Sequence, residues 1–174
     1  MVILAVVLAL CVGGFLLLPA ARSLFEDTRD KLGGAKAVTP VDVSASAQVP
    51  SHPASNTTDG LNNRYWARRA GASVTFTFDA PFRLVDLIVT NGASKSSPED
   101  YAHEARALRM DLEITSEDGE THRKTLDLAD KPGRQTFPTG YSDVVRVRLT
   151  LRSVTGLTAG RHVALAEVEF FRRT

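Results

Sequence analysis

The stretch "VVRVRLTLRSV", residues 144 to 154, alternates Val145, Val147, Leu149 and Leu151 with Arg146, Arg148, Thr150 and Arg152. A period of two residues fits a strand with one face buried and one face wet; a helix cannot gather those apolar side chains on one side. Runs of the same kind recur from Val41 onward. "VDVSASAQ" alternates, and "SVTFTFD" puts Val74, Phe76 and Phe78 opposite Thr75 and Thr77. "FRLVDLIVTNG" is more continuously apolar, as a central strand would be. "LRMDLEIT" directs Leu108, Met110, Leu112 and Ile114 inward, "KTLDLAD" does so with Leu126 and Leu128, and "LAEVEFF" closes the chain. Asp79-Ala80-Pro81, Asn91-Gly92, Glu117-Asp118-Gly119 and Lys131-Pro132-Gly133 mark turns between these runs. The helix-like piece "SPEDYAHEARAL", with Ser97 as N-cap before Pro98, predicts at most a short helix. Seven or eight short strands predict an all-β domain, a β-sandwich or jelly roll.

The N-terminus obeys a different rule. "VILAVVLALCVGGFLLLPAA" runs from Val2 to Ala21 without a charge. Twenty helical residues rise about 30 Å, the thickness of a bilayer's hydrocarbon core. No Lys or Arg precedes the run, and Pro19-Ala20-Ala21 is a poor cleavage site, so an uncleaved transmembrane anchor over residues 1–22 fits better than a signal peptide. The missing basic flank is also what an internal start in a longer reading frame would give. "RSLFEDTRDKLGG" reads as a short amphipathic helix ending at Gly33-Gly34, and "AKAVTP" as a linker. The expected organisation is an anchor over 1–22, a juxtamembrane segment and linker over 23–40, and a β domain over 41–174. Arg22, Arg29 and Lys31 mildly favour a cytoplasmic side for the β domain.

Charge and motif content exclude several function classes. With 21 basic and 20 acidic residues the net charge is +1, and no basic helix or arginine tail calls for nucleic acid. The single cysteine, Cys11, lies in the apolar run, so the β domain has neither a disulfide nor a thiolate metal site. His52, His103, His122 and His162 lack metal-ligand spacing. No nucleophile elbow, P-loop or dinucleotide-binding glycine pattern is present, so no enzyme activity is expected.

"SASAQVPSHPASNTTDGLNNRYWARR", then "SVTFTFDAPFRLVDLIVTNG", then "VVRVRLTLRSV" and "LAEVEFF" together resemble a discoidin, or coagulation-factor type C, domain over roughly Val41 to Arg172. The section "TNGASKSSPEDYAHEARALRMDLEITSEDGETHRKTLDLADKPGRQTF" resembles the discoidin-like domain of the NAD glycohydrolase toxins. That domain binds glycans, takes part in translocation and recurs in bacterial membrane-anchored proteins. The resemblance implies a galactose-binding-like jelly roll of two packed antiparallel sheets. It also implies a non-catalytic, extracytoplasmic glycan-binding module of the cell envelope, anchored by a single pass through the membrane. A structural or protein-docking domain is the alternative. The chain departs from the pattern at Ala93, where relatives often have an aromatic, and at Glu104-Ala105, where they often have an asparagine.

Candidate residues then fall into three groups. Asp59-Gly60 is either a turn whose Asp caps its own backbone or, as the resemblance implies with Glu167, a structural calcium site. Trp66 is expected in the core, while Arg64, Tyr65 and Arg68 are either a solvated rim or an aromatic-plus-cation platform for a sugar. Asn91, Lys95, Tyr101 and Arg106 lie in the long connection after the apolar strand, where they either bind ligand or pin the loop to the sandwich edge.

Overall fold

The computed structural model describes residues 34–61, 64–68, 70–94 and 98–173, without the side chains of Ala67, Arg68 and Pro98. Among the described residues eight strands are formed: β1 (Ala35–Val38), β2 (Asp42–Ala45), β3 (Trp66–Arg68), β4 (Ser73–Asn91), β5 (Ala105–Ser116), β6 (Thr121–Asp127), β7 (Arg134–Thr155) and β8 (Val163–Arg173). A 3-10 turn over Ala54–Thr58 and a one-turn helix α1 over Pro98–Tyr101 interrupt them.

The pairing resolves into two antiparallel sheets that share their longest strands. In one, β2 lies against the first half of β4, which pairs with the second half of β7; β5 and β6 complete it. In the other, β1 lies against β8, which pairs with the second half of β4, which pairs in turn with the first half of β7. β3 adds to the start of β8. A short parallel contact of Ala105 and Arg106 with Val163 and Ala164 joins the sheets at one end. Side chains from both sheets fill the space between: Phe170 of β8 meets Phe76 edge-on at 4.9 Å and Phe78 at 5.0 Å. Such edge-to-face aromatic pairs add to the burial itself. This is the β-sandwich that the alternating pattern predicts.

Three features differ from the sequence-based expectations, and two share one cause. Asp79-Ala80-Pro81 does not end a strand. β4 runs through it, with ladder irregularities between Thr77 and Phe82 and again to Asp86. Opposite this bend, Asp143 of β7 takes φ 55°, and Val144 pairs with Phe82. Both strands turn the sandwich corner here, and a bulge is how a strand passes from one sheet to the next. An extra residue inverts the alternation beyond it. Val144 is therefore buried in place of Val145, and the irregular ladder at Ala107 to Met110 buries Ala107 in place of Leu108. The third difference is at the entry: the expected linker over 35–40 contains β1, so the folded unit begins at Ala35 rather than Val41.

Among the described residues no helix is long and apolar enough to cross a membrane. The anchor expected over 1–22 and the amphipathic segment after it lie outside them.

Candidate functional site

The entry loop between β2 and β3 is built from its polar side chains. Thr57 Oγ1 donates to Ala54 O at 2.7 Å, and buried Asn56 Nδ2 donates to Tyr65 O at 3.1 Å, closing the loop on itself. Trp66 is fully buried, and its Nε1–H donates to Ala47 O at 3.1 Å. It is a core residue, as expected. Its neighbour Tyr65 turns the other way and stacks on His52, with ring centroids 4.1 Å apart and planes 15° from parallel. Burial pushes the Tyr65 phenol above its ordinary pKa, and the charge of Glu104 and a hydrogen bond to it push the same way.

The connection from β4 to β5 packs against this loop. Gly92 has φ +78°, and a Cβ there would lie 2.5 Å from the Tyr101 ring, so only glycine permits the approach. The segment after α1 is tied to the β7–β8 connection: Glu104 Oε2 accepts from His162 N at 2.6 Å, and Arg161 Nη1 donates to Ala102 O at 3.3 Å. Between the two loops lies a cleft of about 200 Å³, lined by Tyr65, Ala93, Ser94, Asp100 and His103. It offers an aromatic ring, a carboxylate, an imidazole and a hydroxyl within one small concavity. A small polar ligand needs that combination.

Three of the expected ligand residues are committed elsewhere. Asn91 is fully buried. Its Nδ2 donates to Ala107 O at 2.6 Å, and its Oδ1 accepts from Ala107 N at 3.1 Å and Gly92 N at 3.0 Å. The amide therefore clasps β5 as a neighbouring strand would. Tyr101 is buried, and its hydroxyl donates to Asp130 Oδ1 at 2.9 Å. Arg106 grips both Asp130 oxygens, at 2.7 and 3.1 Å, with its guanidinium carbon 5.2 Å from the centre of the Tyr101 ring. These hydrogen bonds, with that of Arg106 foremost, hold the Asp130 carboxyl below its ordinary pKa. Burial, then donation to Asp130, pushes the Tyr101 phenol up. The trio pins the loop to the sandwich edge, the second of the two roles open from sequence. Lys95 lies outside the described residues, as does the Arg68 side chain. Arg64 is exposed, 3.9 Å from Asp59.

Sequence reasoning missed Asp100, Ser94, His52, Glu104 and Asp130. His52 stands thirteen residues from Tyr65 and Asp130 twenty-four from Arg106, and no local pattern announces such pairings.

Asp59 and Glu167 do come together. Both line a second cleft of about 250 Å³, with Thr39, Thr58 and Gly60 beside them. Asp59 Oδ1 accepts from Leu61 N at 2.8 Å, so the Asp caps its own turn. Among the described residues its buried Oδ2 accepts no hydrogen bond and has only the Arg64 guanidinium, 3.9 Å away, as an ion-pair partner, and Glu167 is a buried carboxylate. Among the described residues no three His, Cys, Asp or Glu side chains cluster as metal ligands, so an ion here would need loop carbonyls as well. Two carboxylates plus carbonyl oxygens are what calcium accepts, and the residues fit.

No protein-family model matches the sequence, and no curated protein matches it. Solved structures do. The chain is similar to the family 32 carbohydrate-binding module of C. perfringens NanJ, solved in complex with galactose, at a TM-score of 0.64 and 13% identity over 80% of this chain and 100% of that one. It is similar to the F5/8 type C domain of a Bacteroides fragilis protein, at 0.62 and 18% over 82% and 99%. A third is the family 32 module of AlyQ in complex with 4,5-unsaturated mannuronic acid, at 0.58 and 14% over 78% and 98%. At these identities the likeness establishes the fold, the discoidin-like β-sandwich.

Proposed function

We propose that residues 35–173 are a non-catalytic carbohydrate-binding module of the bacterial cell envelope, held at the membrane by the apolar segment 1–22 with the β domain on the outer side. The cleft between the entry loop and the β4–β5 connection carries this reading. A sugar ring presents an apolar C–H face and a rim of hydroxyls. Tyr65, braced by His52, supplies the aromatic face; Asp100, His103 and Ser94 supply hydrogen bonds to the rim. Ala93 adds a small side chain to the same lining. Structural neighbours solved with galactose and with an unsaturated mannuronic acid support the ligand class. The likeness to the toxin-associated translocation domain supports an envelope glycan as its source.

The same reading assigns Asp59, Glu167 and carbonyls of the Thr58–Gly60 turn to a calcium ion. Bound there, calcium would supply a rigid tie between the entry loop and β8, and so a fixed position for Tyr65.

A glycan array probed with the full chain and with Tyr65→Ala tests the proposal. Retention by the wild type and loss in the variant, with an unchanged melting temperature, are expected. A variant that keeps the wild-type profile excludes the cleft as the sugar site. A blank wild-type array removes the sugar and leaves protein docking as the alternative.

A further inference from the structure

The open face of the β2–β4–β7–β5–β6 sheet carries a feature that the loop cleft does not use. A groove of about 500 Å³ crosses β5, β6 and β7, lined by Asp111, Glu113, Arg123, Arg148, Thr150 and Arg152, among others. That volume falls in the ligand-cleft range of roughly 300–1,000 Å³. The strand registers build it: Glu113 lies directly between Arg148 of β7 and Arg123 of β6, and Asp111 between Thr150 and Thr125.

The charges in it are unevenly matched. Arg123 bonds Glu113 Oε2 from both Nε and Nη2, each at 2.9 Å. Arg152 Nε bonds Asp111 Oδ2 at 2.6 Å. Three guanidinium groups and the Lys124 ammonium, which donates to Pro138 O at 3.0 Å, thus line the groove with two carboxylates, and Arg148 is the guanidinium left over. It is exposed, and among the described residues its side chain makes no hydrogen bond or ion pair. Each carboxylate commits one oxygen to its arginine and keeps the other to accept a bond. The Thr125 and Thr150 hydroxyls border the same floor.

We infer that this groove is a second ligand site, for an acidic sugar of the uronic acid class. The planar fork of Arg148 matches a carboxylate in bidentate geometry. Glu113, Asp111 and the two threonines match ring hydroxyls. Other anions fit less well. A nucleic acid strand would need aromatic platforms for its bases, and no aromatic lines the groove. A lipid surface would need apolar side chains beside the cations, whereas among the described residues the exposed large apolar ones are Val41, Leu61 and Leu157, none of them in the lining. A bare phosphate or sulfate would engage Arg148 but bring no hydroxyl donors for Asp111 and Glu113, which line the same groove.

The test is isothermal titration calorimetry of the full chain in nonionic detergent, with trimers of galacturonic, glucuronic and mannuronic acid, their methyl esters and inorganic phosphate as probes. At least one acid trimer should bind and its ester should not. Binding should weaken by about tenfold or more in Arg148→Ala, the scale of one lost charge-assisted bond. Tyr65→Ala, which tests the loop cleft, and Arg172→Ala, a charge-matched change on β8, should leave it unchanged. Equal affinity in Arg148→Ala, equal binding of acid and ester, or silence from all three acids would overturn the inference. So would displacement by phosphate at the trimer's own concentration, or loss of uronate binding in Tyr65→Ala.

Discussion

Replacing Asn91 by Asp changes one atom group and leaves the shape of the β4 terminus intact. The amide's two ends are not equivalent: Nδ2 faces Ala107 O at 2.6 Å, and Oδ1 accepts two backbone N–H groups. A carboxylate keeps the second arrangement and loses the first. The Ala107 carbonyl, in a residue with no solvent exposure, is then left without its donor. An orphaned buried polar group costs about 1–3 kcal/mol. The new charge also lies against that carbonyl, away from water. Both effects favour the protonated form, which can donate to Ala107 O, so the introduced carboxyl should titrate above the ordinary carboxylate range. Each unit of that rise adds about 1.4 kcal/mol of destabilisation once the group is ionised.

The sign comes from linkage between protonation and folding. A carboxyl whose folded-state pKa is raised keeps its proton in the native state after the unfolded state has lost it. Stability therefore falls as pH rises between the unfolded and folded values, and acid restores it. Urea unfolding of the fragment from Ala35 at pH 5 and pH 8, for wild type and Asn91→Asp, measures this directly. The deficit of the variant should be larger at pH 8. Asn91→Ala, which orphans the N–H of Ala107 as well as its carbonyl, should cost about 2–4 kcal/mol at both pH values. A deficit for Asn91→Asp below about 1 kcal/mol, equal at both pH values, would refute the clasp.

Trp66→Ala should cost about 3–5 kcal/mol in the same assay while Tyr65→Ala costs little; a stable Trp66→Ala protein would contradict the core assignment. Asp130 is held below its ordinary pKa, so its contribution should be present above the unfolded value and lost as pH falls through the folded one. Melting temperatures from pH 6 down to pH 2 should show that acid-side loss in the wild type and a flatter profile in Asp130→Asn. Calcium should raise the melting temperature of the wild type and leave Asp59→Ala unmoved, with calorimetry against added chelator as the check. A fragment from Ala35 should melt cooperatively and above one from Val41, which lacks β1 and its ladder to β8.

The legible part of this protein is what alternation carries. Val74, Phe76 and Phe78, or Met110, Leu112 and Ile114, announce their faces because the period of two is a local property. What broke the pattern was a count of one: opposite the Thr115–Ser116 step of β5 the β7 ladder goes from Arg146 to Val144, and that single extra residue moved the core position from Val145 to Val144. β1 was illegible because "AKAV" is too short to show a period, and its pairing with the last strand is a tertiary fact. The site divides in the same way. Trp66 and the Asp59–Glu167 juxtaposition follow from positions in a recognisable fold. In sequence Asn91, Tyr101 and Arg106 read as polar residues of one long connection, although Asn91 ends β4 and Arg106 belongs to β5, and nothing local separates a side chain that bonds a ligand from one that bonds Ala107 or Asp130.

β8 also gives the domain a direction in which it is strong. Ala35 and Arg173 are partners on the β1–β8 ladder, so a pull applied between those two residues breaks the rungs one after another, like a zipper. A pull between Ala35 and Tyr65 acts differently. Tyr65 leads into β3, which holds the Val163 end of β8, while Ala35 sits at the Arg173 end. The load then runs along β8, and every rung of the ladder shares it at once. A domain tethered ahead of Ala35 and gripping its ligand at Tyr65 is loaded in shear, the geometry in which a short strand such as β1 holds longest.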